Sequence, residues 1–560
     1  MRFAGVRLVA TWVALVGSVN LLTSVRPHAR LARLAAPIDG GVPGRAQAFV
    51  VGLLLIVIAR GLIARRYAAW ATGVVVLAVA ASAAIPHRPF AVALAGASLV
   101  ALVALRHDFP ARPDPARLRL AGQIGLVAIG SAVVGGGWDL VANRHDPADV
   151  GTTVVGYLST DAPTGWRAWV VTFVIAGSVV LALVVAFLPA APPKPGGPVD
   201  RADVTELAAR GGADSLAPFA TRADKSYVFS PDRRAALGFR VLFGTALVGG
   251  DPVGSIDSAG DAVKAYLDLC TRHGWRPAVL GASDDTAPLW RRHGMHGLHI
   301  GDEAVLAVDE FSLASRRMRN VRQAVNRTRN AGVTVTIGPL TADLVTDLRP
   351  VLDQWLGGRR ERGFAMNLDA ILQPRPDCLF AVAYAAGGEA VAFSRFAVCA
   401  DGSIYTLDVA PRGILAPNGV AERMIVDVVD YARAHGAREV SLNFAAFRWV
   451  FDAPGAMART GAALLHAFDR WIEIASLNRF CEKFQPRWRA RSLLTPSWPQ
   501  MGWVAAAAVR AELVPRQRTG ADAPPARTPG IATVHRDPSD AAPGPNEARS
   551  LPAAEHHAHA

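Results

Sequence analysis

The sequence predicts an N-terminal all-α transmembrane helical bundle followed by a soluble α/β region of two lobes, and three observations carry that prediction. Hydrophobic residues make up 51% of the 560 residues, yet the formal net charge is +13. These reconcile if one part of the chain sits in lipid and another carries the charge. Long apolar runs crowd the first third of the chain. Beyond a Pro/Gly-rich linker the pattern changes to short strands and amphipathic helices set apart by turn residues. A strongly basic protein at a membrane has two obvious anionic partners, lipid headgroups and nucleic acid, and charge alone does not choose between them.

Spanning a bilayer takes roughly 20 mainly apolar residues, because each backbone polar group must be satisfied within the helix. Six segments qualify, at about 6–25, 46–64, 67–85, 89–105, 121–142 and 167–190. The fourth is barely long enough. The first has Arg2 and Arg7 ahead of its apolar run, like a signal peptide, but further spans follow and it reads as a retained helix. Orientation follows arginine placement. Arg2 and Arg7, Arg65 and Arg66, and Arg106, Arg112, Arg117 and Arg119 all face the cytoplasm if the N-terminus is inside. Arg26, Arg30, Arg33 and Arg45 oppose that bias, and the acidic-leaning loop from Asn143 to Trp166 faces outward. Six spans then leave the remaining chain in the cytoplasm, at the inner (plasma) membrane. The four scattered cysteines, with no CxxC pair, agree with a reducing compartment.

The expected divisions are a transmembrane domain over 1–190, a linker over 191–201, a first lobe over 202–340, a second, catalytic lobe over 341–515 and a disordered tail over 516–560. The run Ala190-Ala191-Pro192-Pro193-Lys194-Pro195-Gly196-Gly197-Pro198 is incompatible with a helix, and the tail has too few large apolar residues to order itself. Between them, Asp261–His273 and Thr286–His293 read as helices, and Arg276–Leu280 and Glu303–Val308 as strands. Three strands follow at Leu379–Tyr384, Glu389–Val398 and Ser403–Val409, then a helix from Gly419 to His435 and a strand from Glu439 to Phe444. Antiparallel strands, a helix and a further strand form the central unit of the acetyltransferase-like (GNAT) fold. Acetyl-CoA enzymes of that fold hold the pyrophosphate on loop amides at the helix start. Here that turn is Arg412-Gly413-Ile414-Leu415-Ala416-Pro417-Asn418-Gly419, where Pro417 removes a donor and the glycine spacing is wrong. The fold is expected to be kept while the acyl donor has changed.

Two stretches carry the chemistry. From Phe311 to Gly332, Met318, Val321 and Val325 form an apolar stripe at helical spacing, while Arg316, Arg317, Arg319, Arg322, Arg327 and Arg329 occupy the remaining surface with no acid among them. Unpaired arginines in that density suggest phosphate contacts; a merely basic solvated face is the alternative. From Ser476 to Pro496, Leu477, Phe480, Cys481 and Phe484 share one helical face, which makes Cys481 core and not a nucleophile. Pro486 ends that helix. Arg487, Arg489 and Arg491 then alternate as on an extended segment, with Trp488 between two of them, suited to stacking on a base or a headgroup. His293, His296 and His299 invite a zinc reading, but glycines break a helix there and a strand throws them onto alternating faces, so no metal site is expected.

Several of these segments resemble the C-terminal catalytic domain of the bacterial multiple peptide resistance factor family, the phosphatidylglycerol lysyltransferases and their alanyl relatives. They are Asp224-Lys225-Ser226-Tyr227-Val228-Phe229-Ser230, Gly250-Asp251-Pro252-Val253-Gly254, the Phe311–Gly332 helix, Tyr405-Thr406-Leu407-Asp408, Ala416-Pro417-Asn418-Gly419, Ser441-Leu442-Asn443-Phe444 and Lys483-Phe484-Gln485-Pro486-Arg487-Trp488. Together they span about 300 residues in order. The family's arginine three residues after the aspartate falls one position later here, at Arg412, and its Ala-Pro-Leu run becomes Ala445-Ala446-Phe447.

The resemblance implies a transfer from aminoacyl-tRNA, lysyl or alanyl, to a glycerol hydroxyl of phosphatidylglycerol, altering membrane surface charge and resistance to cationic peptides. An aminoacyl ester is already activated, so no cofactor, metal or covalent intermediate is needed. What remains is positioning, deprotonation of the hydroxyl and stabilisation of the oxyanion. The implied catalytic residues are Asp408, as acid or base or as partner of the substrate ammonium, with Arg412, Lys483 and Arg487 for the oxyanion or phosphates. Glu422, Asn443 and Asn418 are implied donor-site contacts, and the remaining substrate-binding candidates are Arg316, Arg319, Arg322 and Arg327 for phosphates and Trp488 for a base or a lipid headgroup. Two rivals stay open: a transferase of the same fold acting on a peptidoglycan precursor or using acyl-CoA, and a lipid translocase with a regulatory soluble domain.

Overall fold

Among the described residues, the first third of the chain holds six apolar helices. The computed structural model describes residues 2–25, 45–84, 89–143, 166–211, 214–359, 361, 367–446 and 478–513. The helices are α1 (Arg2–Val25), α2 (Arg45–Ile63), α3 (Tyr67–Ala84), α4 (Pro89–Ala104), α5 (Pro115–Asn143) and α6 (Trp166–Ala186). Every segment expected to be an apolar helix is one. Three boundaries differ by four residues or more, and the first is that of α1, which already starts at Arg2. α5 starts earlier because Pro115 suits a first helical turn and the Asp114 carboxylate accepts from the Ala116 N–H at 2.8 Å. α6 stops at Ala186, short of the expected 190, because Pro189 disfavours helical backbone just before it.

Among the described residues, Gly5–Leu22 and Pro115–Val134 are long and apolar enough to cross a membrane, and Phe49–Ile63, Tyr67–Val79 and Phe173–Ala186 are shorter apolar helices. α1 and α2 cross at a pair of glycines. A Cβ on Gly17 would lie 2.9 Å from the Gly52 carbonyl oxygen, and one on Gly52 would lie 2.8 Å from that of Gly17. Such small-residue crossings let apolar helices pack backbone to backbone. The expected tail over 516–560, with its histidines, and the loop over 144–165 lie outside the described residues.

Beyond the linker come α7 (Pro198–Arg210), β1 (Ser226–Phe229), β2 (Ala235–Leu242), β3 (Thr245–Gly249), β4 (Val253–Gly254), α8 (Ile256–His273), β5 (Arg276–Ser283), α9 (Ala287–Arg291) and β6 (His296–Ala307). They continue with α10 (Arg319–Asn330), β7 (Thr334–Gly338), α11 (Ala342–Leu356), β8 (Cys378–Tyr384), β9 (Ala390–Cys399), β10 (Ile404–Val409), α12 (Val420–Ala434), β11 (Glu439–Ala446), β12 (Arg487–Thr495) and α13 (Met501–Leu513). Among the described residues all strands join one sheet in the order β1-β2-β3-β5-β12-β6-β11-β10-β9-β8-β7, with β4 on β2. Two parallel pairs, β3/β5 and β10/β11, are each bridged by a helix, α8 and α12. α8 buries Tyr266 and Cys270 against one face of the β2–β5 part, and α13 buries Val504 and Ala508 against the β3/β5/β12 part. α10 and α12 share a core with β6, β10 and β11 through Val321, Val325, Leu407, Val428 and Leu442.

The two halves of the sheet are stitched by exchange. β12, from the far end of the chain, lies between β5 and β6 and pairs antiparallel with both. A buried charge network fastens this seam. Arg491 on β12 donates to Glu303 on β6 at 2.5 Å and to Asp214 at 2.7 Å, while Ser441 on β11 donates to Glu303 at 2.6 Å. Asp251 sits 3.8 Å from the same guanidinium and accepts from the Ser283 N–H on β5 at 3.0 Å. Burial would raise the Glu303 carboxyl, but Arg491 and the hydroxyls of Ser215 and Ser441 outweigh it and hold it below its usual range. Burial and the neighbouring Asp214 charge push Asp251 up to about 6.

The helical third is latched to the sheet by backbone groups at the end of α8. Arg66 donates from Nη2 to the Gly274 carbonyl at 2.7 Å, the Arg112 N–H to the Arg272 carbonyl at 3.1 Å and the Ala190 N–H to that of His273 at 3.0 Å. A cation at these carbonyls complements the C-terminal end of the α8 dipole. Gly274 has φ 65°, and a Cβ there would fall 1.4 Å from the Arg66 Nη1. Glycine is required on both counts.

Candidate active site

The site grows out of a divergence between two parallel strands. β10 and β11 pair only at Ile404↔Glu439, Tyr405↔Val440 and Thr406↔Ser441, and beyond Ser441 β11 shifts its register against β6 before Phe444. Asn443 takes the strain of that shift with φ 72°, and its Nδ2 donates to the Leu407 carbonyl at 2.9 Å across the opening notch. Asparagine tolerates this left-handed backbone better than most residues and carries an amide that bridges the freed carbonyl. α12 begins close by. Its leading Gly419 has φ 98° and lies so near α10 that a Cβ would meet the Ala324 side chain at 2.9 Å. The basic helix and the first turn of α12 therefore form one surface.

On that surface the structure brings together several expected residues. Glu422, in the first turn of α12, pairs with Lys483 Nζ at 2.8 Å, and the ammonium also lies 5.3 Å over the Phe480 ring. Asn418 and Arg412 are exposed on the preceding turn, as are the adjacent Ile414 and Leu415. On α10 and the short helical turn Arg316–Met318 that leads into it, Arg316, Arg317, Arg319, Arg327 and Arg329 are exposed, whereas Met318, Val321 and Val325 are buried. Arg322 is half-buried and donates to the Leu313 and Ser315 carbonyls, holding the chain that enters the helix. Cys481 is core, and burial pushes its thiol up to about 12.

Other expected residues lie elsewhere. Asp408 at the end of β10 is enclosed, paired at 2.5 Å with Arg395, whose own side chain is fully buried. Its carboxylate also accepts from the Leu368 N–H at 3.1 Å, while Arg395 donates to the carbonyls of Asp369, Ala370 and Ile371 at 2.8–2.9 Å. In this arrangement the pair pins residues 367–371 beneath the notch. Arg487 pairs with Glu310 in an exposed contact, and Trp488 is half-buried against the core. His299 contacts Asp302 at 2.9 Å and His296 stacks on Trp498, so the three histidines do not converge. Sequence reasoning passed over Arg395. Its signal was there, a lone charge within the apolar strand Ala-Val-Ala-Phe-Ser-Arg-Phe-Ala-Val-Cys, which demands a buried partner.

The turn before α12 is unsuited to a pyrophosphate. The Gly413 N–H donates to the Val391 carbonyl at 2.9 Å, that of Ile414 to Gln354 Oε1 at 3.1 Å and that of Ala416 to the Gly413 carbonyl at 3.2 Å. Pro417 has no N–H, so successive amides cannot converge on one anion there.

Comparison with known proteins decides the family. The model of the family described as phosphatidylglycerol lysyltransferase, C-terminal, matches residues 205–495. The chain belongs to this family. The resemblance read from the sequence motifs is thus borne out. Among its relatives, the lysylphosphatidylglycerol biosynthesis bifunctional protein LysX of Mycolicibacterium gilvum (strain PYR-GCK) is 39% identical over 287 residues, covering 50% of this chain and 26% of that protein. The protein of that name from Nocardia farcinica (strain IFM 10152) is 38% identical over 320 residues, covering 55% of this chain and 28% of that protein. The matched region is thus about a quarter of each curated relative's length. The solved C-terminal domain assigned to a lysylphosphatidylglycerol synthetase from Agrobacterium fabrum superposes with a TM-score of 0.50 at 21% identity, covering 57% of this chain and 98% of that one. At that identity the likeness establishes a shared fold, a mixed α/β sheet.

Proposed function

We propose that this chain is a multi-pass membrane enzyme that transfers an aminoacyl group, lysyl in the first instance, from aminoacyl-tRNA to phosphatidylglycerol. The observation that carries the reading is the Glu422–Lys483 pair in the first turn of α12, which packs beside the arginine-bearing α10, in a chain of the phosphatidylglycerol lysyltransferase family. The α10 surface suits the tRNA backbone. Residues 1–190 form the membrane domain, the lobes divide near 340, and the second lobe carries the reaction. That the arginine-bearing turns at Arg66 and Arg112 touch residues 272–274 supports their lying on the same, cytoplasmic side as the sheet.

In the reaction a glycerol hydroxyl oxygen attacks the ester carbonyl of the aminoacyl-tRNA. The tetrahedral oxyanion collapses, the bond to the tRNA ribose oxygen breaks, and the hydroxyl proton passes to that oxygen. Glu422 takes the proton in transit, while Lys483 and the Asn443 amide face the developing charge. Arg412 and Arg487 hold phosphates of donor or lipid, and Asn418 contacts the donor. Asp408 acts through Arg395 and the loop at 367–371 as a positioning residue. Phosphatidylglycerol carries one negative charge; a lysyl ester adds two ammonium groups and reverses its sign, which repels cationic peptides.

Purified full-length protein supplied with lysyl-tRNA and phosphatidylglycerol vesicles should yield lysylphosphatidylglycerol by mass spectrometry. Lys483→Met should lower turnover by about 10²-fold while leaving the thermal midpoint in place, since the pair is partly exposed. No aminoacylated lipid from the wild-type protein, with charged tRNA intact, would sink the assignment.

A further inference from the structure

One end of the sheet is built unlike the other. The registers Leu242↔Thr245, Thr245↔Arg276, Leu494↔Val279 and Thr495↔His296 bring the end of β2, the start of β3, the start of β5, the end of β12 and the start of β6 to the same rim. Four large apolar side chains stand exposed there: Phe243 at 57%, Leu298 at 37%, Trp498 at 57% and Trp503 at 52%. Leaving such groups in water forfeits the free energy of burying them. Phe243 sits at a hairpin tip with φ 50°, a backbone that a bulky residue rarely adopts.

Bases are interleaved with these groups. Arg276 lies 5.3 Å over the Trp503 ring and donates to the Phe243 carbonyl at 3.0 Å, and His296 stacks on Trp498. Arg291, Arg292 and His293 are exposed on the turn that leads into β6. No acidic residue occurs from Ala235 to Gly249, from Ala287 to Ile300 or from Arg487 to Ala511. The rim also adjoins the exit of the last apolar helix. A Cβ on Gly244 would meet Pro189 at 2.7 Å, and the Trp275 Nε1 donates to the Ala190 carbonyl at 2.9 Å.

We propose that this rim is a membrane-contact surface, with Phe243, Leu298, Trp498 and Trp503 seated at the headgroup level of an anionic bilayer and Arg276, Arg291 and Arg292 on its phosphates. Tryptophan and arginine favour that layer because each joins an apolar body to a polar or charged group. The contact extends to the lipid the latch already made between α8 and the helices, and it fixes the tilt of the sheet over the surface that supplies the acceptor. His293 and His296 are exposed along the same rim. The inference rests on the membrane placement proposed above.

The test uses the full-length protein at one copy per nanodisc of phosphatidylcholine and phosphatidylglycerol. Because the four native cysteines are buried, a fluorophore goes to single introduced thiols at Trp498→Cys and Trp503→Cys. Leu15→Cys, on the exposed side of α1, and Asp285→Cys, beyond the other end of β5, serve as references. A nitroxide carried on the lipid should quench positions 498 and 503 several-fold, as at position 15, and leave position 285 bright. Quenching at 15 but not at 498 and 503 would overturn the rim contact alone. No quenching at 15 would overturn the membrane placement beneath it. Labels at 498 and 503 shielded from both lipid-borne and aqueous nitroxide would mean that protein covers the rim, which also overturns the proposal.

Discussion

Asp408 and Arg395 form a fully buried ion pair, and buried pairs are asymmetric in their energetics. Desolvation offsets much of the attraction while both partners are present, but removing one leaves the other charged and uncompensated, at a cost of about 3–5 kcal/mol. Asp408→Asn should therefore lower the thermal midpoint measurably, and Arg395→Met should do the same because the carbonyls of Asp369, Ala370 and Ile371 lose their donor. A differential scanning measurement alongside lysyl transfer separates two roles. If Asp408→Asn keeps its midpoint and loses turnover, the carboxylate touches substrate directly and the positioning role is wrong. Asp408 stood out in the sequence only through the family resemblance carried by Tyr-Thr-Leu-Asp. Its buried pairing was not legible, because Arg395 lies 13 residues earlier on a neighbouring strand and no local periodicity connects them.

At the scale of elements, amphipathic helices were legible to within a few residues. The stripe of Met318, Val321 and Val325 is buried as expected, because a 3.6-residue period reports the buried face directly. The strands β5, β6 and β8 to β11 were legible too, and β12 as an extended run, but β1 to β4 and β7 were not, and neither was strand order. Nothing local in Arg487–Thr495 says that it lies between β5 and β6, since pairing is chosen by long-range packing. Two predictions belong here. Arg319→Gln with Arg327→Gln on α10 should weaken tRNA binding and reduce the slope of log affinity against log salt by about 2, read by filter binding across a salt series. An unchanged slope would remove α10 from the tRNA surface. At the seam, Asp251 titrates near 6, above the ordinary aspartate value of about 4. Between those values the folded protein binds the extra proton, so its stability falls as pH rises across that window. The Glu303 contribution has the opposite sign, present above its ordinary value and lost as pH falls through its depressed one. Asp251→Asn should flatten the decline in thermal midpoint between about pH 4 and 6. A decline as steep as in the wild type would place the titration elsewhere.

For the whole molecule, sidedness decides whether the proposed reaction is possible, because charged tRNA is a cytoplasmic reagent. A reporter active only in the cytoplasm, fused after Val199, should be active, and its periplasmic counterpart at the same point silent. The reverse result would exclude an aminoacyl-tRNA donor whatever the geometry of the notch. The helices themselves were legible because each is a long, unbroken apolar run. Their attachment to the sheet was not, since it depends on Arg66 and Arg112 meeting backbone carbonyls 208 and 160 residues away.

The insertion of β12 between β5 and β6 also sets the order in which the protein can be made. Synthesis runs from the N-terminus, so β5 and β6 leave the ribosome roughly 200 residues before the strand that separates them. Until then both present unpaired edges, the kind of surface on which nascent chains join one another. Arg491 arrives on that last strand, so Glu303 and Asp214 wait without their counter-charge. That keeps an early, wrong closure of the two edges from being comfortable. A chain cut short before Arg487 would lack the keystone of both halves at once, and a ribosome stalled there would hold a sheet that cannot close.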